Sequence, residues 1–312
     1  VLVYNSFEHY KASGPAVVTI GTFDGVHLGH QALLKRLADL AARQGGKSVV
    51  LTFDSHPRMV LHPDDHGIKL LNTPEEKEEL LRLCGIDVLL RVPFSEAFSR
   101  MSPTEYVRDI IVNQIGTTML VVGFDHRFGR NREGDIRLLH ELSGLYGYAV
   151  EEIPPEMVAS HKISSTKIRQ ALSAGEVDLA GQLLGYRYGL TGTVVSGEGR
   201  GRSIGYPTAN LGIDDRDKLV PGRGVYAVGV CAGVAWHHGV MNIGIRPTVG
   251  DDLKESLEVH IPGLDRDLYG QNLRVTFAVK IRDEHKFGSI DALRLRIAED
   301  IKTAHAYFQT HP

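Results

Sequence analysis

Cysteine is nearly absent: Cys84 and Cys231 are the two in 312 residues, and they lie far apart. That excludes a disulfide framework and a cysteine zinc centre, and fits a reducing compartment. No charge of one sign prevails, with 35 Lys+Arg against 38 Asp+Glu and a net charge of −3. Residues 1–185 hold 19 basic and 23 acidic residues, and 186–312 hold 16 and 15, so neither half hides a basic nucleic-acid-binding domain. Long hydrophobic runs are missing too. The opening Val1–Asn5 meets Ser6, Glu8, His9 and Lys11 at once, which is neither a signal peptide nor a membrane span. A soluble cytoplasmic protein with no membrane or nucleic-acid partner, and at most a weak homo-oligomer, is the expectation. Repeats, heptads and low-complexity tracts are lacking, as is a Walker-type Gly-x-x-x-x-Gly-Lys-[Ser/Thr] loop.

What is present is enough chain for two domains, each with its own core at 42% hydrophobic residues. From 16 to about 185, strand-like runs (Ala16–Ile20, Ser48–Phe53, Val88–Val92, Met119–Val122, Ala149–Ile153) alternate with helical patterns. Leu33, Leu34, Leu37, Leu40 and Ala41 mark a helix over 31–43. Thr73-Pro74-Glu75-Glu76 and Ser102-Pro103-Thr104-Glu105 each read as a capped helix start. Such alternation predicts a Rossmann-like parallel sheet, with ligands at the carboxyl ends of its strands. Beyond Gly185 the pattern becomes Gly-punctuated β segments at 189–196, 225–231, 234–243, 256–261 and 273–281, then a helix over 289–308. This predicts an antiparallel β-barrel with a terminal helix. The domains are therefore expected at 1–185 and 186–312. His56, His62 and His66, near Asp64 and Asp65, read as incidental loop residues rather than a metal site.

Two constellations carry chemistry. The first follows the earliest buried strand: Gly21-Thr22-Phe23-Asp24-Gly25-Val26-His27-Leu28-Gly29-His30 leads into a helix. Free N–H groups and the helix dipole make such a junction an anion site, and His27 and His30 can add imidazole donors. His-x-Gly-His after a first strand is the pattern of nucleotidyl transfer, where charge builds on an α-phosphate as pyrophosphate leaves. Ser164-Ser165-Thr166-Lys167-Ile168-Arg169 opens another helix, and cations in its first turns oppose the dipole unless a phosphate is bound there. The second constellation is Gly197 to Asn210, a glycine-rich arch with Gly199, Arg200, Gly201 and Gly205 ending in Pro207-Thr208-Ala209-Asn210. The Thr208 hydroxyl and Asn210 amide are hard oxygen ligands suited to Mg²⁺ when nucleotide phosphates complete its shell.

The first constellation and Ile163–Arg169 resemble the FMN adenylyltransferase module of the prokaryotic bifunctional riboflavin kinase/FAD synthetase family. The arch, with Gly224-Val225-Tyr226-Ala227, Asn242 to Thr248, Glu258-Val259-His260 and Leu268-Tyr269-Gly270, is similar to its riboflavin kinase module. The resemblance implies ATP-dependent phosphorylation of riboflavin to FMN in the C-terminal domain. It implies AMP transfer from ATP to FMN, giving FAD and pyrophosphate, in the N-terminal one, with Mg²⁺ for both. It implies that His27 and His30 polarise the triphosphate and that Gly21, Phe23, Asp24, Gly29, Ser164, Ser165, Thr166 and Arg169 surround it. Gly199, Arg200, Gly201 and Gly205 would close over the second ATP, and Thr208 and Asn210 would hold the metal. Glu258 would be the base that takes the riboflavin 5′-hydroxyl proton. Asp125, in Val121 to Gly129, and Arg246 would contact flavin; His126 stands where the family more often has an aromatic. A class I aminoacyl-tRNA synthetase fragment shares distant echoes of the two N-terminal motifs, and the missing basic domain argues against it. A flavin-binding regulator without turnover is opposed by the intact His27, His30, Thr208, Asn210 and Glu258.

Overall fold

Strands β1 (Leu2–Tyr4), β2 (Ala16–Ile20), β3 (Lys47–Phe53), β4 (Val88–Val92), β5 (Thr117–Gly123) and β6 (Ala149–Ile153) build one parallel sheet in the order β1-β4-β3-β2-β5-β6. The computed structural model describes residues 1–61, 64, 67–154, 163–197, 199–247 and 253–311, without the side chains of Arg200, Arg246, Pro247, Leu253 and Lys254. All five residues of β2 are buried, as a central parallel strand requires. Val17 packs with Leu34, Leu37 and Val50 on one face, and Val18 and Ile20 pack with Leu51, Ile111 and Leu139 on the other. From β2 the chain moves outward through β3 and β4, then returns to the opposite side of β2 with β5. The crevice at the carboxyl ends of β2 and β5 is therefore the switch point of the sheet, where ligands of such folds bind. Two motif-bearing loops, after Ile20 and after Gly123, start there. Both expected capped helix starts form, at Thr73 and at Ser102, each as a full capping box. β1 was not anticipated, since three residues at a sheet edge are too few to show a period.

The C-terminal strands β7 (Gly189–Val195), β8 (Thr208–Gly212), β9 (Gly224–Ala232), β10 (Ala235–Pro247), β11 (Leu253–His260) and β12 (Asn272–Arg282) close into an antiparallel barrel, ordered β10-β11-β8-β7-β12-β9. Tyr226, Val228, Val230, Met241, Ile243, Leu273, Val275 and Phe277 are buried within it. The helix Ile290–Thr310 sets Ala304 and Phe308 against Val225, Ala227, Val240 and Ala278. β8 is a strand that the sequence reading did not contain.

By packing, the chain divides into Val1–Ser165 and Thr166–Pro312. The division falls ahead of the 185/186 break expected above, because the helices Ser165–Ala174 and Val177–Leu184 belong largely with the barrel. Gly222 N–H donates to the Leu172 carbonyl at 2.8 Å, and a Cβ on Gly222 would stand 2.3 Å from the Ser173 carbonyl oxygen. Backbone contact that close ties the first of these helices to the barrel loops.

Candidate functional site

In the N-terminal unit the loop after β2 is held by strained backbone over buried side chains. Phe23 and Val26 have φ of 47° and 36°, a region that costs a side chain about 1–3 kcal/mol. The Phe23 ring and the Val26 methyls lie in the core beneath the Leu28–Arg43 helix, which offsets the strain. That helix starts earlier than its apolar spacing shows because His27 is its N-cap: Nδ1 accepts the His30 backbone N–H at 3.3 Å. The acceptor nitrogen carries no proton, so the remaining ring N–H of His27 is Nε2, a donor. The two imidazoles stack at 3.6 Å, and Phe23 meets the His30 ring edge-on at 5.2 Å. Burial lowers the His27 pKa to about 4, against smaller opposing contributions from its own backbone and Asp24. Burial, then His27, then Lys77 hold His30 well below the histidine range. Both rings are neutral at pH 7, and His30 Nδ1 is buried with no partner. A neutral pair with an unsatisfied nitrogen at a sheet switch point is arranged to receive a polar ligand.

Asp24, expected beside phosphate, is buried and accepts the Leu71 N–H on Oδ1 at 2.9 Å, so its carboxylate ties the loop to the chain ahead of Thr73. A carboxylate is also the wrong charge for a phosphate contact. Ser165 donates its hydroxyl to the Asp24 carbonyl at 2.9 Å, bringing that predicted residue to this loop. Ser164 is half-buried just ahead of the helix, while Thr166 and Arg169 stand in its first turns within the C-terminal unit. Gly21 lies where a Cβ would come 3.1 Å from the Phe23 ring, and Gly29 is buried in the first turn after His27. Asp125 is exposed after β5. His126 stacks on Phe128 at 5.8 Å, with Nε2 buried and unpartnered and a pKa lowered by burial to about 4. The ring is therefore neutral and is stacked on Phe128. Lys77, inside a Glu-Glu-Lys-Glu-Glu run that reads as a solvated helix face, lines a small cavity with Thr22, Asp24 and Asp54 and was missed.

In the C-terminal unit, Leu257 and Val259 are buried toward the barrel interior, so Ser256, Glu258 and His260 project from the other face of β11. Register pairs Glu258 with Asn210 on β8 and with Asn242 on β10, and His260 with Thr208. One carboxylate thus gathers the Thr208–Asn210 pair: Thr208 Oγ1 donates to Glu258 Oε2 at 3.2 Å, and Ser256 Oγ donates to Oε1 at 2.9 Å. Ser256 was missed, although the period-2 alternation that separates Leu257 and Val259 from Glu258 also places Ser256 beside it. Gly197 abuts Asn210, whose amide nitrogen would lie 2.1 Å from a Cβ there. Gly201 likewise sits 2.4 Å, by its would-be Cβ, from the Tyr206 carbonyl. The expected arch is in part a single helical turn, Arg200–Ser203, flanked by Gly199 and Gly205 at φ of 69° and 86°. The side chains of Arg200 and Arg246 lie outside the described residues. Thr208 gives its proton to Glu258 and keeps oxygen lone pairs for a hard cation. No group of three His, Cys, Asp or Glu side chains suited to a metal occurs among the described residues. The donor set therefore fits Mg²⁺ only as a partial shell that phosphate oxygens complete.

The family model for FAD synthetase matches residues 9–167, and that for riboflavin kinase matches 184–308. The bifunctional riboflavin kinase/FMN adenylyltransferase of Listeria monocytogenes is 38% identical over 292 residues, 94% of this chain and 92% of that protein. That of Escherichia coli K12 is 39% identical over 293 residues, with the same two coverages of 94% and 92%. A crystal structure described as a macrolide-efflux protein from Streptococcus pneumoniae matches with a TM-score of 0.87 and 32% identity, over 97% of this chain and 98% of that one. Among the described residues no helix is long and apolar enough to cross a membrane.

Proposed function

Since the chain belongs to the bifunctional riboflavin kinase/FMN adenylyltransferase family, it turns riboflavin into FMN and FMN into FAD, and we propose which residues perform each step. In the N-terminal unit an FMN phosphate oxygen attacks the α-phosphorus of ATP, the bond to the bridging oxygen breaks, and pyrophosphate departs with the electron pair. His27 Nε2–H and the His30 ring donate to the oxygens on which charge grows. Gly21, Phe23, Gly29, Ser164 and Ser165 shape the surrounding loop, Asp24 fixes it, and Asp125 contacts the flavin. For Thr166 and Arg169 the phosphate role is supported by the motif. The observation that carries the assignment is the stacked, neutral imidazole pair with its unsatisfied His30 Nδ1.

In the barrel the riboflavin 5′-oxygen attacks the γ-phosphorus of a second ATP, its proton passes to Glu258, and ADP leaves. Thr208 and Asn210 would hold Mg²⁺, which neutralises phosphate charge when bound. The Gly199–Gly205 turn covers the phosphates, and the assignment of Arg200 to them and of Arg246 to the flavin rests on the motif alone. Two free, half-buried cysteines suit the cytoplasm as the working compartment. Incubation with riboflavin, ATP and Mg²⁺, followed by chromatography, should show FMN and then FAD. His27→Ala/His30→Ala should cut FAD formation by about 10²–10³ while riboflavin phosphorylation continues. Parental FAD synthesis in the double variant would remove this loop from the chemistry.

A further inference from the structure

Neutral imidazoles donate hydrogen bonds but bring no positive charge, and a triphosphate is a polyanion. The cation that acts electrostatically on His30 is Lys77. It stands on the Pro74–Leu83 helix, whose first turn is fixed by a capping box: Glu76 N–H donates to Thr73 Oγ1 at 3.3 Å, and Thr73 N–H to Glu76 Oε2 at 3.1 Å. Lys77 follows directly, so its origin is rigid. Its side chain lines a cavity with Thr22 and Asp24 of the His27–His30 loop and with Asp54, Ser55 and His56 just after β3. Those segments all lie at the carboxyl edge of the sheet.

The neighbouring carboxylates are already engaged. Asp54 Oδ1 is 2.9 Å from Arg91 Nε, and Asp24 Oδ1 accepts the Leu71 N–H at 2.9 Å. The Lys77 ammonium closes no hydrogen bond or ion pair with a described residue; Asp24 and Asp54 favour its charge at longer range, and Arg91 opposes it. Desolvation lowers its pKa more than any of them alters it. A half-buried ammonium that lines a cavity and closes no ion pair is placed to meet an anion there.

We propose that Lys77 is a phosphate-binding residue of the adenylyl-transfer site, its ammonium contacting the polyphosphate of ATP beside His27 and His30. The proposal rests on the assignment of that loop to adenylyl transfer. The competing reading is a lysine that merely steadies Asp24 and Asp54. Lys77→Met and Lys77→Gln in the full chain separate the two, with FMN adenylylation measured over a range of ATP and of added pyrophosphate. Riboflavin phosphorylation and thermal melting serve as controls for folding. The expected result is a fall of about 10²–10³ in kcat/KM for ATP, with weaker product inhibition by pyrophosphate and parental kinase turnover. Lys77→Arg, which keeps the charge, should recover at least tenfold of the loss. Either neutral variant, folded and with parental kcat/KM for ATP, overturns the proposal provided His27→Ala/His30→Ala has lost FAD synthesis. If the histidine variant also keeps it, the loop assignment fails first, and Lys77 falls with it.

Discussion

Glu258 accepts one hydroxyl on each carboxylate oxygen, and both donors come from positions fixed by strand register. Glu258→Gln keeps the shape and should lower riboflavin phosphorylation by about 10²–10⁴, with adenylylation of supplied FMN unchanged and the melting temperature close to parental. Ser256→Ala removes one donor to the carboxylate while leaving Glu258 itself in place. Kinase kcat should then fall modestly, because the carboxylate is less firmly positioned. Parental kcat in the folded variant would limit Ser256 to packing. At this scale His27, His30, Thr208, Asn210 and Glu258 were legible because motif spacing placed them. The neutral state of the imidazoles was not, since it follows from burial by distant segments. Nor was the placement of Asp24, whose partner Leu71 is remote in sequence.

The terminal helix illustrates what periodicity shows of an element and what it hides. Ala304 and Phe308 pack as their spacing predicts, yet one turn earlier Asp300 is 2% exposed. Arg282 on β12 donates to it from Nε at 3.0 Å and from Nη2 at 2.8 Å, and Arg296 Nε stands 3.3 Å away. Removing one member of a buried ion pair leaves the other charge uncompensated, so Asp300→Ala should destabilise the barrel by about 3–5 kcal/mol. Denaturant unfolding followed by Trp236 fluorescence would measure this; a loss under 1 kcal/mol would mean that Arg282 finds water instead. β8 escaped the sequence reading for a related reason. Its five residues, Thr208–Gly212, offer little apolar alternation, and pairing with β7 and β11 makes them a strand.

For the whole molecule, the packing division ahead of Thr166 makes a prediction about fragments. A 163–312 fragment keeps the two helices that bear Ile168, Ala171, Leu172, Val177, Ala180 and Leu184, all buried, and should fold and make FMN but no FAD. A 186–312 fragment bares the surface they cover and should melt at a lower temperature. Equal melting temperatures would make the helices dispensable to the barrel. The parallel-then-antiparallel order was legible from the change of pattern near Gly185, whereas the allegiance of the intervening helices was not, because an amphipathic helix does not name its partner. One feature of the barrel also bears on how the protein is made. β12 bonds to β7 on one side and β9 on the other, so the ring is closed by the last strand to leave the ribosome. At about 5–20 residues per second, β7 of the nascent chain waits several seconds with an open hydrogen-bonding edge. Messages cut short before β12 leave β7 and β9 each with one edge permanently unpaired, and the resulting chains are templates for aggregation rather than weakened kinases.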